Sequence, residues 1–176
     1  NLAEGPNFAS VEVFLCVANL GLRGSISDVL RNIGVREIRF GQTLGEILGH
    51  LEEETPDLMI CSTEFPDGEL FPKLHELRHH QWGKNPFIPI MTVTDEPSKE
   101  IVKQVLESGA DDLLIQPIST KQLLTRIGGL AKNRKQFVVT TDYVGPTRRA
   151  NNSDRGMEIP MIDVPNTLRS KVTGEQ

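Results

Sequence analysis

Two groups of side chains in this sequence have types and spacings that could do chemistry. Ser62 directly follows a short apolar run, Leu58–Cys61, which lies between Pro56 and a Pro-Asp-Gly turn. A serine in such a place can act as a nucleophile if a neighbouring base takes its proton. His75 and His79 are four residues apart, so one face of a helix could present both imidazoles to a metal ion.

Neither group is complete in the sequence. No base adjoins the serine, and no third ligand accompanies the two histidines. The histidines, together with His80 and Trp82, fit the solvated end of a helix better than a metal site. We interpret the nearby carboxylates of Glu64, Asp67 and Asp95 as solvated loop residues. The sequence therefore predicts no metal, no cofactor and no catalytic serine.

Apolar runs that alternate with amphipathic stretches must position these residues. The predicted strands are Val11–Ala18, Arg36–Phe40, Leu58–Cys61, Ile88–Val93 and Asp112–Ile115, and apolar residues at helical spacing predict five helices between and after them. Such alternation over about 125 residues implies right-handed crossovers and a parallel sheet covered on both faces. We predict a flavodoxin-like, doubly wound five-stranded α/β fold of strand order 2-1-3-4-5, with Ser62 at the edge where such sheets bind ligands.

The segment from Gly109 to Ser119, GADDLLIQPIS, resembles part of the CheY-like receiver domain of two-component signalling, where it normally contains Lys-Pro. In that family a phosphate-accepting aspartate stands at the position of Ser62, before a loop with Pro and Gly. The resemblance covers residues 11 to about 133. It implies the receiver fold and a cis peptide bond between Gln116 and Pro117.

The resemblance also implies where the family's phosphorylation site lies in this chain. Matched outward from Arg23 and Gly34, the two metal-binding acids, the acceptor, the hydroxyl, the lysine and the aromatic switch fall on Val17, Ala18, Ser62, Thr94, Gln116 and Leu113. Among the site positions only the hydroxyl of Thr94 matches the family pattern. Magnesium needs hard oxygen ligands, and phosphoryl transfer needs cations that neutralise the moving oxygens. The resemblance therefore implies a degenerate site.

Composition changes after Asn133. Residues 134–176 contain Pro146, Pro160 and Pro165, which predict an irregular carboxyl-terminal arm with one short strand, Phe137–Thr141, and little helix. The body, residues 1–133, has 12 lysines and arginines against 19 acids, a net charge of −7, whereas the arm has 7 against 5, a net charge of +2. We divide the chain into a lead, residues 1–10, a receiver-like domain, residues 11–133, and the arm.

The leading functional hypothesis is a non-enzymatic pseudo-receiver that binds a protein partner in bacterial signalling without phosphorylation. One alternative is a response regulator with an atypical phosphate acceptor. Another is an arm that binds nucleic acid through Arg148, Arg149 and Arg155, which the acidic body disfavours. Buried cysteines at Cys16 and Cys61 and the lack of a signal peptide or membrane-spanning run suggest the cytoplasm.

We also expect a homodimer. In the resembled family, the fourth helix, fifth strand and fifth helix form a face that commonly pairs. The arm is the other candidate, with Tyr143, Arg148 and Arg149 as possible contacts. Its apolar residues would supply the buried surface: Phe137, Val139, Tyr143, Ile159, Met161 and Ile162. An arm folded back on its own domain would use the same residues.

Overall fold

The computed structural model describes residues 5–148 and 160–174. The elements in chain order are β1 (Glu12–Cys16), α1 (Leu20–Asn32), β2 (Glu37–Gly41), α2 (Leu44–Glu53), β3 (Leu58–Ser62), β4 (Glu64–Phe65), β5 (Gly68–Glu69), α3 (Leu70–Arg78), β6 (Ile90–Thr94), α4 (Lys99–Ser108), β7 (Asp112–Ile115), α5 (Thr120–Lys132), β8 (Phe137–Val139), β9 (Val144–Pro146), β10 (Met161–Ile162) and α6 (Thr167–Thr173). None of the helices in these ranges is long and apolar enough to cross a membrane.

The central sheet has the order β2-β1-β3-β6-β7, and its four strand pairs are all parallel. This arrangement confirms the predicted flavodoxin-like fold, with the five parallel strands in order 2-1-3-4-5. The strand predicted over residues 11–18 is shorter than expected, because Val17 and Ala18 leave the ladder after Cys16. The sequence prediction missed the small antiparallel hairpin of β4 and β5.

Alternate residues of the buried strands face two separate cores. On one side, Leu15 and Ile60 belong to a core that includes residues of α1 and α5. On the other side, Phe14 and Met59 belong to a core that includes residues of α2, α3 and α4. Because both faces of the sheet are covered, the central strands need apolar residues at every position, which explains their continuous apolar runs.

Polar side chains cap the start of four of the helices that flank the sheet. The side chains of Asn19, Thr43, Ser98 and Ser119 each accept a hydrogen bond from a backbone N–H in the first turn of α1, α2, α4 and α5. Helix α4 ends at Gly109, whose φ of 88° lies in the left-handed region that glycine adopts without strain. The four N-caps fix where the loops at the carboxyl edge of the sheet end and the helices begin.

The arm is more regular than the sequence suggested. Strands β10, β8 and β9 form a three-stranded antiparallel sheet, and α6 follows them. The expectation of little helix is therefore wrong for residues 167–173. Helix α6 forms because Asn166 caps it and because Leu168 and Val172 are buried against the core that contains α1 and α5. Packing of a short apolar face outweighs weak local propensity here.

One end of the arm is fixed by a buried ionic cluster. Asp111 accepts hydrogen bonds from Arg78, at 3.0 Å, and from Arg134, at 3.1 Å. The ring of Phe137 lies between the two arginines, with guanidinium carbons 4.9 Å and 4.8 Å from its centroid. We call these four residues the arginine cluster. Phe137 is completely buried within its own chain, so it is not free to cover a second subunit as we had expected for a dimer.

The other end of the arm is fixed by α6. Lys171 donates to Asp57 at 2.7 Å, and Thr167 also donates to this carboxylate. The backbone N–H of Asn7 donates to the carbonyl of Val172 at 3.0 Å, so the lead packs beside the helix. Asp57 and Asp111 directly precede β3 and β7. The arm therefore lies along the amino-terminal edge of the central sheet.

A close backbone contact joins the arm to the body between these two ends. A Cβ atom built on Gly145 of β9 would lie 2.6 Å from the Cα of Gly109, and one built on Gly109 would clash with the carbonyl of Val144. Both glycines are therefore required by the close approach of these two segments of the chain. Of the arm residues expected in a dimer interface, Val139, Met161 and Ile162 remain exposed, and Ile159 lies outside the described residues.

Candidate functional site

A cleft of about 750 Å³ opens at the carboxyl-terminal edge of the central sheet. Four of the predicted site residues meet in its lining, namely Ala18, Ser62, Thr94 and Gln116. They come from the ends of β1, β3, β6 and β7, which lie side by side in the sheet. The cleft is where ligands bind in open parallel sheets, so the fold brings the predicted residues together at the expected edge.

Val17 and Ala18, which the resemblance matches to the two acids, have different surroundings. Val17 is completely buried in the core between the sheet and α1 and α5, and it does not line the cleft. Ala18 does line the cleft, but it offers only a methyl group. Neither side chain has an oxygen for a cation, since magnesium takes carboxylate, carbonyl or water oxygens.

The two hydroxyls of the cleft make ordinary structural hydrogen bonds. Ser62 donates through Oγ to the carbonyl of Cys16 at 3.3 Å, across the β1–β3 pair. Thr94 is almost fully buried, and its Oγ1 accepts from the N–H of Glu96 at 3.2 Å, which holds the start of the next loop. No described imidazole or carboxylate is hydrogen-bonded to Ser62, so no base is placed to take its proton.

Gln116 directly follows β7 and lines the cleft on that side. Its backbone N–H donates to the carbonyl of Thr94 at 2.9 Å, and its bond to Pro117 is cis, as expected. The side chain is a neutral amide, so it cannot supply the positive charge that a phosphoryl group would need. Leu113, at the expected switch position, is half-buried and packs against the core of α2, α3 and α4.

The hairpin of β4 and β5 forms one rim of the cleft, and Asp67 at its turn has a role that the sequence did not show. Its carboxylate accepts from the N–H groups of Leu44 and Gly45 at 2.8 Å and 3.0 Å, at the start of α2. These hydrogen bonds lower the pKa of Asp67 from its ordinary value. The interpretation of Asp67 as a simply solvated residue is therefore wrong, although its side chain is exposed. A carboxylate within the two-residue turn Pro66-Asp67 was the available signal.

The charge of the cleft disfavours phosphate. Its fourteen lining residues include the carboxylates of Glu64 and Asp95, and they include no lysine, arginine or histidine. Within residues 5–148 and 160–174, no three His, Cys, Asp or Glu side chains are grouped to hold a metal ion. A phosphoryl group in this cleft would meet like charges and hydroxyls without a neutralising cation.

The paired histidines and cysteines lie elsewhere. The rings of His75 and His79 stack with centroids 4.1 Å apart, and Nδ1 of His79 lies 2.8 Å from the carbonyl of His75. Cys16 and Cys61 are opposite each other on β1 and β3, both buried as free thiols. Burial and the neighbouring thiol raise the pKa of Cys16 well above its ordinary value, which makes it unreactive.

The predicted contact residues of the arm lie at the opposite edge of the sheet from the cleft. Tyr143 donates through its hydroxyl to the carbonyl of Pro146 at 2.7 Å, and burial raises its pKa. Arg148 donates to the carbonyl of Ala110 within the same chain. Arg149 lies outside the described residues. The structure therefore separates these residues from the cleft.

The profile of the Response regulator receiver domain family matches residues 19–128. The chain is 26% identical over 118 residues to the Phosphate regulon transcriptional regulatory protein PhoB of Escherichia coli K12, an alignment that covers 67% of this chain and 50% of PhoB. It is 32% identical over 89 residues to the Swarming motility regulation protein RssB of Serratia marcescens, covering 51% of this chain and 39% of RssB. The chain thus spans half or less of the length of these relatives.

Solved structures share the fold. The chemotaxis protein CheY4 of Vibrio cholerae superposes with a TM-score of 0.59 at 23% identity, covering 68% of this chain and 98% of that one. The receiver domain of a Pseudomonas aeruginosa sensor histidine kinase, which has a magnesium ion in its active site cleft, gives 0.59 at 20% identity, covering 67% and 94%. Since the family profile matches more than half of the chain, the chain belongs to the response regulator receiver domain family.

Proposed function

We propose that this chain is a pseudo-receiver, which acts without phosphorylation as a protein-interaction module in a bacterial pathway of two-component type. The observation that carries the proposal is the lining of the cleft, where Ala18, Ser62 and Gln116 stand in place of a metal-binding acid, the acceptor and the lysine. Without these groups the cleft has no carboxylate at the acceptor position, and its lining includes no cationic side chain. A signalling role must then rest on the surfaces of the domain.

We expect the protein to acquire no phosphoryl group from a small-molecule phosphodonor in the presence of Mg²⁺. The reason is that phosphoryl transfer depends on cations around the moving oxygens, and the cleft lining has none. Intact-mass spectrometry after incubation with acetyl phosphate measures this directly. A stoichiometric phosphoryl adduct on the native protein would contradict the proposal and favour the atypical-acceptor alternative.

A restored variant is the matched control. It carries Ala18→Asp, Ser62→Asp and Gln116→Lys, three changes at residues that line the same cleft. These changes return an acid for Mg²⁺, an acceptor carboxylate and a cation to adjacent strand ends. We expect the variant, and not the native protein, to gain the mass of one phosphoryl group. Its labelling would show that the fold permits the chemistry and that the native residues prevent it.

The nucleic-acid alternative has less support. Arg148 already donates to the carbonyl of Ala110 in its own chain. The body carries a net charge of −7, which repels a phosphate backbone. Two thiols that are free and buried, Cys16 and Cys61, fit the reducing cytoplasm in which we place the module.

A homodimer is a second proposal, supported by exposed apolar residues on α4 and β7. Val102, Leu106 and Ile115 are 41%, 43% and 42% exposed on neighbouring elements. Such a patch gains free energy when a second copy covers it. The arm is a weaker candidate for this interface than the sequence alone indicates, because Phe137 is buried in the arginine cluster of its own chain.

We expect the full chain to sediment as a dimer at concentrations on the order of 10 μM, and Leu106→Lys to make it monomeric by burying an unpaired charge in the interface. Leu20→Lys is the control, because Leu20 is equally apolar and 65% exposed on α1. Sedimentation equilibrium measures both masses. A monomeric native chain, or a dimer that Leu106→Lys leaves intact, would contradict the dimer without affecting the pseudo-receiver proposal.

A further inference from the structure

The outer face of α5 has a composition unlike the rest of the acidic body. The helix contains Lys121, Arg126 and Lys132 and no acidic residue. Arg126 forms an ion pair with Asp112, whereas the two lysines form none within the part of the chain that the structure describes. Both lysines are exposed. The body has a net charge of −7, so an unneutralised basic helix face is a local exception.

A groove of about 280 Å³ runs beside this face. We call it the α5 groove, and its lining is Pro6, Phe8, Leu124, Thr125, Gly128, Gly129, Lys132 and Asn133. The far wall comes from the lead, which is held in place where the N–H of Asn7 donates to the carbonyl of Val172 at 3.0 Å. The groove is therefore bounded by an anchored segment.

Two glycines in the middle of α5 make the groove deep. A Cβ atom built on Gly128 or on Gly129 would meet no atom within 4 Å, so the space above the helix backbone is open. Adjacent glycines within a helix each cost roughly 1 kcal/mol relative to alanine. Within residues 5–148 and 160–174, no atom packs against these two positions closely enough to require glycine. We call this open space over Gly128 and Gly129 the notch. Beside it, Leu124 is exposed and provides an apolar wall.

The lysines mark the two ends of the same helix face. Lys121 is seven residues before Gly128, and Lys132 is four residues after it, which puts the two charges about 16 Å apart along the axis. Lys121 lies in the first turn of α5, where the helix dipole disfavours a cation. Its position therefore does not serve the stability of the helix.

A second copy of this chain does not complement the groove. If two α5 helices packed about a two-fold axis in the antiparallel sense, Lys121 of each would face Lys132 of the other. Like charges across an interface cost free energy and discriminate against that partner. The two lysines would instead be complemented by a partner that has a carboxylate at each end of its contact surface and an apolar side chain between them.

We propose that the α5 groove is a docking surface for an acidic amphipathic helix of a partner protein. In this arrangement an apolar side chain of the partner fills the notch over Gly128, and carboxylates pair with Lys121 and Lys132. Glycine allows the close approach, and the apolar wall at Leu124 contributes burial. The inference rests on the proposed function, since it names the kind of partner that the interaction module binds.

The probe is a synthetic helical peptide of about 18 residues, based on alanine and glutamine. It has two glutamates eleven positions apart, with a leucine seven positions from one and four from the other, to match the spacing of Lys121, Gly128 and Lys132. Binding is followed by amide chemical shifts of the isotope-labelled full chain. We expect saturable shifts confined to α5 and residues 6–8, with a Kd on the order of 0.1 mM that weakens at high salt.

Gly128→Ala separates docking from folding. The added methyl group meets open space and favours the helix, so this variant should melt at a higher temperature than the native chain. It should nevertheless bind the peptide about tenfold more weakly, because the notch is filled. Gly49→Ala on α2 is the control, as its Cβ also meets nothing within 4 Å, and it should leave binding unchanged. Lys121→Glu with Lys132→Glu should abolish binding.

Several results would overturn the inference. They are the absence of saturable shifts, equal binding of a peptide with lysines in place of the glutamates, or unchanged binding by Gly128→Ala. Self-association of the native chain that Gly128→Ala removes would assign the groove to a second copy instead.

Repeating the titration after treatment with acetyl phosphate and Mg²⁺ separates the docking proposal from the pseudo-receiver proposal. If the chain acquires a phosphoryl group and only that form binds, the pseudo-receiver proposal fails and the surface stands; if no phosphoryl group is acquired and the chain does not bind, only the surface fails.

Discussion

Replacing Phe137 with alanine is expected to lower the free energy of unfolding by about 3–5 kcal/mol, which is a large part of the stability of an ordinary domain. The ring is completely buried and lies between the guanidinium groups of Arg78 and Arg134. Its removal would leave a cavity and would also remove the aromatic face from two cations. Urea-induced unfolding, followed by circular dichroism, measures the change.

Val139→Ala is the matched control for this prediction. Val139 belongs to the same strand, β8, but it is 39% exposed, so its truncation should cost less than about 1 kcal/mol. If Phe137→Ala were as mild as Val139→Ala, the arm would not be part of the folded unit. That result would support the sequence-based division at residue 133, with an arm that is free to pack elsewhere.

Replacing Arg78 with methionine is the second change with a large expected effect, a loss of about 3–5 kcal/mol. Arg78 is fully buried and donates to the carbonyls of Gly109, Pro86 and Ile88, at 2.9, 2.9 and 2.8 Å, as well as to Asp111. Methionine is shorter and has no donors, so three carbonyls, two of them buried, would lose a partner. The same unfolding experiment measures the loss.

Arg126→Met is the control for Arg78→Met. Arg126 forms an ion pair with Asp112 at 3.0 Å, but its side chain is 48% exposed. Exposed pairs contribute about 0–1 kcal/mol, so this substitution should be nearly neutral. Equal effects of the two substitutions would contradict the special role of the buried arginine.

The protonation of Arg78 makes the stability of the folded chain depend on pH only in the alkaline range. Burial lowers the pKa of Arg78 to about 10, with Asp111 acting in the opposite sense. A cation whose pKa is lower in the folded state than in the unfolded state disfavours folding while it is charged. This cost is constant below about pH 10 and diminishes only above it. Arg78 is therefore charged at neutral pH, and it contributes no pH dependence there.

The central sheet could be predicted because its signals are local. Continuous apolar runs such as Leu58–Cys61 follow directly from burial on both faces, and the alternation of strands and helices implies a parallel sheet with right-handed crossovers. The cleft followed from the same reasoning, since the ends of β1, β3, β6 and β7 must meet at one edge. The pattern could not show where the residues just beyond a strand would point. Val17 is buried in the core, whereas its neighbour Ala18 lines the cleft.

The arm could not be predicted, because its structure depends on distant partners. Helix α6 is short, and only its burial against the body stabilises it. One signal in the sequence was nevertheless available. Arg78 is eight residues after Leu70 and four after Leu74, on the apolar face of α3, where a charged side chain requires a buried partner. The partner, Asp111, is 33 residues away in sequence.

The bond between Lys171 and Asp57 joins residues 114 positions apart. Bringing such distant segments together in an unfolded chain costs about 4 kcal/mol in loop-closure entropy. The closure becomes favourable only once the sheet has formed and Asp57 is fixed at the start of β3. We therefore expect α6 to pack against the body late in folding. Substitutions in α6 would then speed unfolding more than they would slow folding. We therefore expect the arm, once it has packed on the body, to slow the unfolding of the whole chain.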